Sequence, residues 1–362
     1  MRLLKRAATA AEFLYSHLKN PSSHTYYPYD RRKSNLGIYF DNIRWMMRYG
    51  EINHFYYLYG LDRKDGRNFD DYLALRTFRR LRDRANLVME IEGRKANCTC
   101  LLRDKFVFGK YLESLGFPTP EVIALCDRRS IMWLDTQKTE PFESLMRRDR
   151  INVFIKELLG ECADGVYSVR TENEKLYLNE RQVTIEELRK TIKDKCIIQE
   201  RIYQHQMMNE LYPHSVNTIR LVTAICGKEI IPLGAIIRMG VNGQCCDNLA
   251  SGGVSAPIDL ETGRLGKEGL FRPAFGRRTT HHPDTGVAFG NFQIPYFADA
   301  VQMAIRLHGF FYGIHSIGWD IAITNDRPAF IEGNDNWEIP TFQAYDRHFK
   351  KKFLAVLPKG RL

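Results

Sequence analysis

The clearest alternation in the chain lies near its C-terminal end. Gly318-Trp319-Asp320-Ile321-Ala322-Ile323 is followed by the turn-forming stretch Thr324-Asn325-Asp326-Arg327-Pro328 and then by Ala329-Phe330-Ile331-Glu332-Gly333-Asn334. Two apolar or β-branched arms around such a connection predict an antiparallel hairpin. With Ile323 set opposite Ala329, Asp320 falls opposite Glu332. Strand side chains alternate, so Glu332 and Asn334 share one face while Trp319, Ile321 and Ile323 point to the other. Like charges directly opposed destabilise a sheet, so something positive is expected between the carboxylates. Two carboxylates and an amide are the hard oxygen ligands that suit magnesium beside a nucleotide phosphate. A solvated polar face on an ordinary edge hairpin fits the same spacing.

Upstream, the apolar positions recur at helical spacing. Leu3, Leu4, Ala7, Ala11, Leu14 and Leu18 predict a helix stopped by Asn20-Pro21, Asn35 to Tyr49 a second, and a third begins near Phe69 and carries Leu73, Phe78, Leu81 and Leu87. Tyr26 to Asp30 reads as a loop. Asp104-Lys105-Phe106 opens a further helix ending at Leu115-Gly116, with Pro118 just beyond. Strand-like runs follow at Glu121 to Leu125, Asn152 to Lys156, Gly165 to Val169 and Leu176 to Leu178. After a helix from Ile185 to Lys193 come Cys196 to Glu200, Ser215 to Ile225 and Ile230 to Arg238, and a helix from Pro295 to Phe311 leads into the hairpin. The order predicts an α+β fold with antiparallel sheet. Residues 1–100 read as a helical basic region, 101–200 as a first lobe and 201–362 as a second.

Composition changes this picture in one respect. The net charge of +10 comes from residues 1–110, which hold 22 Lys and Arg against 12 Asp and Glu, while the remainder holds 31 of each. A basic module of this kind suits an anionic membrane surface, an acidic saccharide or nucleic acid, and a solvated Arg-rich surface fits as well. No RNP-like, helix-turn-helix or zinc-finger pattern accompanies the charge, so nucleic acid is not expected as a partner. No apolar run is long enough to cross a bilayer, and the first twenty residues carry no long apolar signal core, so a cytoplasmic chain is expected, with peripheral membrane contact through the basic region. The eight cysteines form no CxxC pair and read as free, mostly buried thiols.

Two stretches carry phosphate or nucleotide chemistry. Lys156 ends a strand before the glycine-bounded loop Gly160-Glu161-Cys162-Ala163-Asp164-Gly165, which can lay backbone N–H groups over a phosphate. No Walker A pattern is present, and a plain β-turn fits the loop too. Ile197-Ile198-Gln199-Glu200-Arg201-Ile202 can line an adenine slot, with Glu200 accepting the exocyclic amine, or can be a buried strand ended by surface charge.

Taken in order, Asp104-Lys105, Lys156 with its loop, Gln199-Glu200-Arg201-Ile202, Asp320 and Glu332-Gly333-Asn334 resemble the ATP-grasp superfamily. His214-Ser215-Val216-Asn217-Thr218-Ile219-Arg220-Leu221-Val222-Thr223, Asp247-Asn248-Leu249-Ala250-Ser251-Gly252-Gly253, His282-Pro283-Asp284-Thr285-Gly286 and Gly318-Trp319-Asp320 are similar to the sugar-transfer-associated ATP-grasp proteins of polysaccharide biosynthesis, to which the teichuronopeptide-type proteins look related. The resemblance implies two α+β lobes clasping ATP between antiparallel sheets. It implies Lys105 and Lys156 on the phosphates, Glu200 and Ile202 on the adenine, and Asp320, Glu332 and Asn334 on magnesium. It also implies activation of a carboxylate as an acyl phosphate for attack by an amine, or phosphate transfer to a hydroxyl. The helical N-terminal third does not resemble the Rossmann-like domain that commonly precedes this fold. Many such ligases place an arginine two residues before the first metal carboxylate. This chain has Gly318 there, so Arg220 or Arg238 is expected to supply the cation.

The expected activity is an ATP- and magnesium-dependent carboxylate–amine ligase with a saccharide or small-molecule acceptor, which a lipid carrier could present. A sugar kinase or a binding module with a vestigial nucleotide site are the alternatives. Arg220, Arg238 and Lys156 are expected to act in catalysis. The loop from Arg238 to Ser255 is expected to close over the acceptor, and Asn248, Ser251 and His282 to touch it.

Overall fold

The computed structural model describes residues 24–358 apart from 66, 89, 92–93, 96–97, 149, 161–164, 194, 245–246, 248, 250–251 and 273–274. The helix expected over residues 1–20 lies outside the described residues.

Helix α1 (Asn35–Tyr49) has the predicted bounds, because Ser34 accepts the Gly37 N–H at its start and Gly50, at φ 68°, takes up the left-handed conformation at its end. The helix expected from Phe69 starts later. Asn68 and Asp71 form a reciprocal capping box around a single 3₁₀ turn at Phe69–Asp71, Tyr72 is extended, and α2 runs Leu75–Val88. A short ladder pairs β1 (Glu90–Ile91) with β2 (Arg94–Lys95), ahead of α3 (Cys100–Arg103) and α4 (Lys105–Ser114). The Asp104 carboxylate caps α4 by accepting the N–H groups of Phe106 and Val107 at 2.9 and 3.0 Å.

The first sheet has eight antiparallel strands: β3 (Val122–Cys126), β4 (Ser130–Trp133), β5 (Thr139–Pro141), β6 (Asn152–Glu157), β7 (Val166–Glu172), β8 (Lys175–Leu178), β9 (Arg181–Val183) and β10 (Cys196–Glu200). Their order is β5-β4-β3-β10-β6-β7-β8-β9, and α5 (Ile185–Thr191) packs Leu188 into the core of Ile131, Ile155, Val169 and Ile198.

After α6 (Gln206–Leu211) come β11 (Thr218–Cys226), β12 (Glu229–Met239), β13 (Val254–Ile258), β14 (Gly269–Phe271), β15 (Arg278–Thr279), α7 (Phe297–His308), β16 (Ser316–Ile323), β17 (Pro328–Asn334), α8 (Pro340–Tyr345) and α9 (Phe349–Val356). These strands form a seven-stranded antiparallel sheet ordered β15-β14-β13-β12-β11-β16-β17. One face buries Ile219, Leu221, Ile237, Trp319, Ile321 and Phe330 under α7. A polar chain stitches helix to sheet within this core. The Trp319 indole donates to Thr223 Oγ1 at 2.8 Å, Thr223 donates to His308 Nδ1 at 2.7 Å, and His308 Nε2 donates to the Ile314 carbonyl at 3.0 Å. The other face is divided. At one end Val222, Ala224, Leu233 and Ile236 are covered by α2, α8, α9 and Trp337, and at the other end the surface is polar.

Two expected boundaries move. Tyr26, Ile38, Trp45, Tyr56, Tyr59 and Tyr72 form a core to which the second lobe adds the buried residues Leu270 and Ala344, whereas Leu73, Phe78 and Ala85 join the core of the second sheet and α9. The stretch 102–117 also belongs there, since Leu102, Phe108, Leu112 and Phe117 pack with Trp319 and Phe330. The first lobe therefore begins at Pro118, whose carbonyl accepts the Phe330 N–H at 2.8 Å. Of the described cysteines, Cys126 and Cys196 are buried, whereas Cys100 and Cys226 are exposed and Cys98 is intermediate, so the thiols are less buried than their composition suggests. No described helix is long and apolar enough to cross a membrane.

Candidate active site

The polar end of the second sheet is built by register. Arg220 on β11 pairs with Asp320 on β16, and Asp320 pairs with Glu332 on β17, so three neighbouring strands put a cation and two carboxylates in one row. The hairpin reaches this pairing by a different route from the one the sequence suggests. Ile323 faces Pro328, not Ala329, and a bulge at Ile331 restores the offset before Glu332. The bulge has a packing reason. Phe330 and Glu332 are two residues apart and would share a face in a regular strand, whereas the extra residue sends Phe330 into the core and Glu332 to the polar side.

Protein cations meet Asp320 from the β11 side, away from Glu332, and do not lie between the two carboxylates. Arg220 donates through Nε and Nη2 to the two Asp320 oxygens at 2.5 and 2.9 Å, and Arg238 Nη2 lies 3.0 Å from Asp320 Oδ2. Burial opposes ionisation of Asp320, yet the two guanidiniums outweigh it and hold the carboxyl below its ordinary value. Arg238 is gripped from behind. Its Nε and Nη2 donate to Thr218 Oγ1 at 3.1 and 2.7 Å, Thr218 donates to Asp247, and Asp247 Oδ2 is 3.5 Å from Arg238 Nε. Burial works against the Arg238 charge, and Asp247, Asp320 and Glu332 more than compensate, raising its pKa. Neither arginine uses Nη1 in these contacts, and each Nη1 is without a partner among the described residues.

Gly318 has a steric reason. A Cβ there would lie 2.6 Å from Trp337 Cβ and 3.4 Å from Arg220 Cδ, so the glycine makes room for the stem of Arg220 beside the indole. Arg82 of α2 donates to the Trp337 carbonyl, which ties the N-terminal region to the rear of the site.

Two lysines meet in the cleft between the sheets. Lys105, first residue of α4, donates to the Gly160 carbonyl at 2.5 Å, and its ammonium is 3.8 Å from Glu332. Lys156 on β6 donates to Gln199 Oε1 at 2.7 Å, and Gln199 in turn donates to the Pro120 carbonyl at 3.0 Å. Desolvation, opposed by the Glu332 charge and helped by Lys105, leaves the Lys156 pKa lowered to about 8. Glu332 is raised first by desolvation in the cleft and then by Asp320, against the pull of Lys105, Arg220 and Lys156.

This arrangement stands within a stretch, residues 84–354, that matches the family described as sugar-transfer associated ATP-grasp. The chain belongs to that family. Among solved structures, this ATP-grasp chain is similar to D-alanine–D-alanine ligase from Bacillus anthracis, with 13% identity and a TM-score of 0.40 over 72% of this chain and 67% of that one. It is also similar to N5-carboxyaminoimidazole ribonucleotide synthetase from Thermotoga maritima (14%, TM-score 0.36, 66% and 43%) and to carboxyaminoimidazole ribonucleotide synthase from Aspergillus clavatus complexed with ATP (11%, TM-score 0.39, 65% and 44%). The chain spans less than half the length of the latter two. No curated protein matches it in sequence.

The donor set for the magnesium of an ATP-grasp site can be tested atom by atom. Asp320 Oδ2 accepts from Arg220, Arg238 and Asn334, the last at 3.4 Å, whereas Oδ1 accepts from Arg220 and keeps a lone pair. Asn334 turns its amide nitrogen to Asp320 and to the Gly318 carbonyl, which leaves its amide oxygen free. Among the described residues Glu332 pairs with Lys105 alone. Three hard oxygens are thus open, and they fit a magnesium that arrives on nucleotide phosphates rather than a closed protein cage. Among the described residues no cluster of three His, Cys, Asp or Glu side chains gathers, which agrees with so open a site.

The remaining candidates lie elsewhere. Glu200 ends β10 with an exposed side chain while its N–H donates to the Glu121 carbonyl at 2.9 Å, and Ile202 is half-buried in the irregular stretch that follows. His282 is fully buried against Tyr212, with Nε2 on the Gly240 carbonyl at 2.9 Å and Nδ1 accepting the Asp284 N–H at 3.3 Å. With both ring nitrogens engaged, it braces the loop after β12 and offers nothing to an acceptor. Asn248, Ser251 and residues 161–164 of the glycine-bounded loop lie outside the described residues. Thr218 and Asp247 lie within the family motifs, and their hold on Arg238 forms only once β11 pairs with β12, which sets Thr218 opposite Arg238.

Proposed function

We propose that the protein is an ATP- and magnesium-dependent carboxylate–amine ligase that forms an amide on a sugar acid or amino-acid substrate in surface polysaccharide synthesis. The observation that carries this reading is the meeting of Lys105, Lys156, Glu332 and the Arg220–Asp320–Arg238 cluster at one cleft between two antiparallel sheets. The family's association with sugar transfer supports the substrate class.

In this mechanism Lys105 and Lys156 neutralise the nucleotide phosphates from opposite lobes, with Glu200 and Ile202 at the adenine end. A carboxylate oxygen of the substrate attacks the γ-phosphorus and ADP leaves. The amine nitrogen then adds to the acyl carbon, and the tetrahedral adduct collapses with loss of phosphate and a proton. The free Nη1 groups of Arg220 and Arg238 are fixed by Asp320, Thr218 and Asp247, so they meet the developing oxyanion with little reorganisation. Asp320, Glu332 and Asn334 would hold magnesium, which lends its charge to the β- and γ-phosphate oxygens. Positioning and charge neutralisation suffice, because ATP brings its own leaving group.

The test is release of ADP and phosphate from ATP with sugar acids, amino acids and amines, singly and in pairs. A ligase releases both in equal amounts when carboxylate and amine are present together. ADP without free phosphate would identify a kinase, and no turnover with any pair would remove the enzymatic reading. Glu332→Gln is expected to abolish turnover while the fold persists.

A further inference from the structure

Helix α1 is apolar on two sides. Ile38, Asn42 and Trp45 face the core, whereas Leu36, Phe40 and Met47 are 68, 61 and 81% exposed and, with half-buried Ile43, form a second stripe at helical spacing. Single exposed apolar residues are commonplace, but a stripe four long that no other described element covers is not. Phe40, Ile43 and Met47 line a shallow groove together with Arg44 and Arg48. The one acid of this helix, Asp41, is turned away and held by Lys33 at 2.7 Å and by the Tyr56 hydroxyl at 2.9 Å.

A second basic element adjoins the stripe. Arg48 lies 2.7 Å from the Asp70 carboxylate, and Lys350 donates to the Asp70 carbonyl at 2.7 Å, so one residue joins α1 to the start of α9. The groove there is lined by Arg347, His348, Lys350, Lys351 and the part-exposed Leu354. Its acids are Asp70, spent on Arg48, and Asp71, which accepts the Asn68 N–H.

We propose that α1, Arg347 and the N-terminal half of α9 form a single face that docks in the interfacial layer of an anionic lipid bilayer, with Leu36, Phe40, Ile43 and Met47 inserted among the acyl-chain ends and Arg44, Arg347, Lys350 and Lys351 on the headgroups. An apolar stripe rimmed by one sign of charge is the pattern of a helix that lies in the membrane plane. A second copy of the chain fits less well, because a two-fold contact would set this basic rim against itself. The face shares no residue with the nucleotide cleft, and the inference is independent of the reaction carried out there.

The test uses the full chain with vesicles of phosphatidylcholine alone or with about one-third phosphatidylglycerol, followed by co-sedimentation at low and high salt. Binding is expected to the anionic vesicles, to weaken at high salt, and to fall at least about tenfold in Phe40→Ser/Met47→Ser and in Arg44→Glu/Lys350→Glu. All four positions are at least partly exposed, and an unchanged melting curve serves as the folding control. Absence of binding to anionic vesicles overturns the proposal. So does binding that both variants retain, which would assign it to another surface such as residues 1–23. A dimer dispersed by Phe40→Ser/Met47→Ser, with no vesicle binding, would give the face to a second copy instead.

Discussion

Arg220 and Asp320 face each other across neighbouring strands as a two-point ion pair, Nε to Oδ1 at 2.5 Å and Nη2 to Oδ2 at 2.9 Å, with the carboxylate nearly excluded from water. Removing one partner of such a pair leaves a buried charge that the remaining neighbours satisfy poorly. Arg220→Ala is expected to lower unfolding free energy by about 3 kcal/mol in urea titrations, with Arg238 as the sole guanidinium left on Asp320. Arg220→Lys should recover little, since an ammonium cannot span both oxygens.

Gly318→Ala tests the space that Arg220 needs. The new methyl must displace Trp337, whose Cβ would be 2.6 Å away, and it presses on Arg220 Cδ. A loss of about 1–3 kcal/mol is expected by denaturant unfolding, together with weaker nucleotide binding by calorimetry. Full stability and unchanged binding would show that Trp337 yields freely.

Lys156, with a pKa of about 8, is half-neutral at that pH in the free protein. Nucleotide phosphates favour its charged form, so ATP binding near pH 8 should take up on the order of half a proton, measurable by calorimetry in buffers of different ionisation enthalpy. Affinity should fall as pH rises above 8 and become nearly pH-independent in Lys156→Gln. The folding term has the opposite sense. Between pH 8 and the ordinary lysine value the unfolded chain holds more protons, so this residue makes the fold more stable as pH rises.

Local rules made the elements legible, while the site's fine structure depends on partners far along the chain. The bounds of α1 follow from Ser34 and Gly50, and those of α4 from Asp104 and Gly116. Setting Ile323 opposite Ala329 predicts the Asp320–Glu332 pairing from the wrong turn residue, and the bulge at Ile331 cancels the one-residue difference. Strands such as Ser130–Trp133 and Arg181–Val183 are too short to show an alternation, and Val254–Ile258 carries a proline. His282 stands beside proline in a polar segment that suggests a substrate role. Its burial on Tyr212 could be known only after the sheet was closed.

His308 is held neutral in the core. Burial, opposed by the bond to the Ile314 carbonyl and helped by nearby His315, lowers its pKa to about 4. The unfolded chain takes up this proton near the ordinary histidine value, so the stability is fully present above about pH 6.5 and is lost as pH falls through 4, roughly 3 kcal/mol in all. Urea midpoints measured between pH 7 and 4 should show that slope. In His308→Leu it should flatten, although Thr223 and the Ile314 carbonyl then lose a partner and the baseline falls.

The sharing of one core by Leu73, α2, α8, α9 and the second sheet makes the two jaws of the clasp unequal. The lighter jaw, residues 118–200, is tied to the heavier one at Pro118 and at the stretch after Glu200, and Lys105 already reaches across to Gly160. Closure on a nucleotide therefore swings an arm against an anvil. A fluorescent label on β8 should report it, while one on the outer face of α1 stays dark to the cleft.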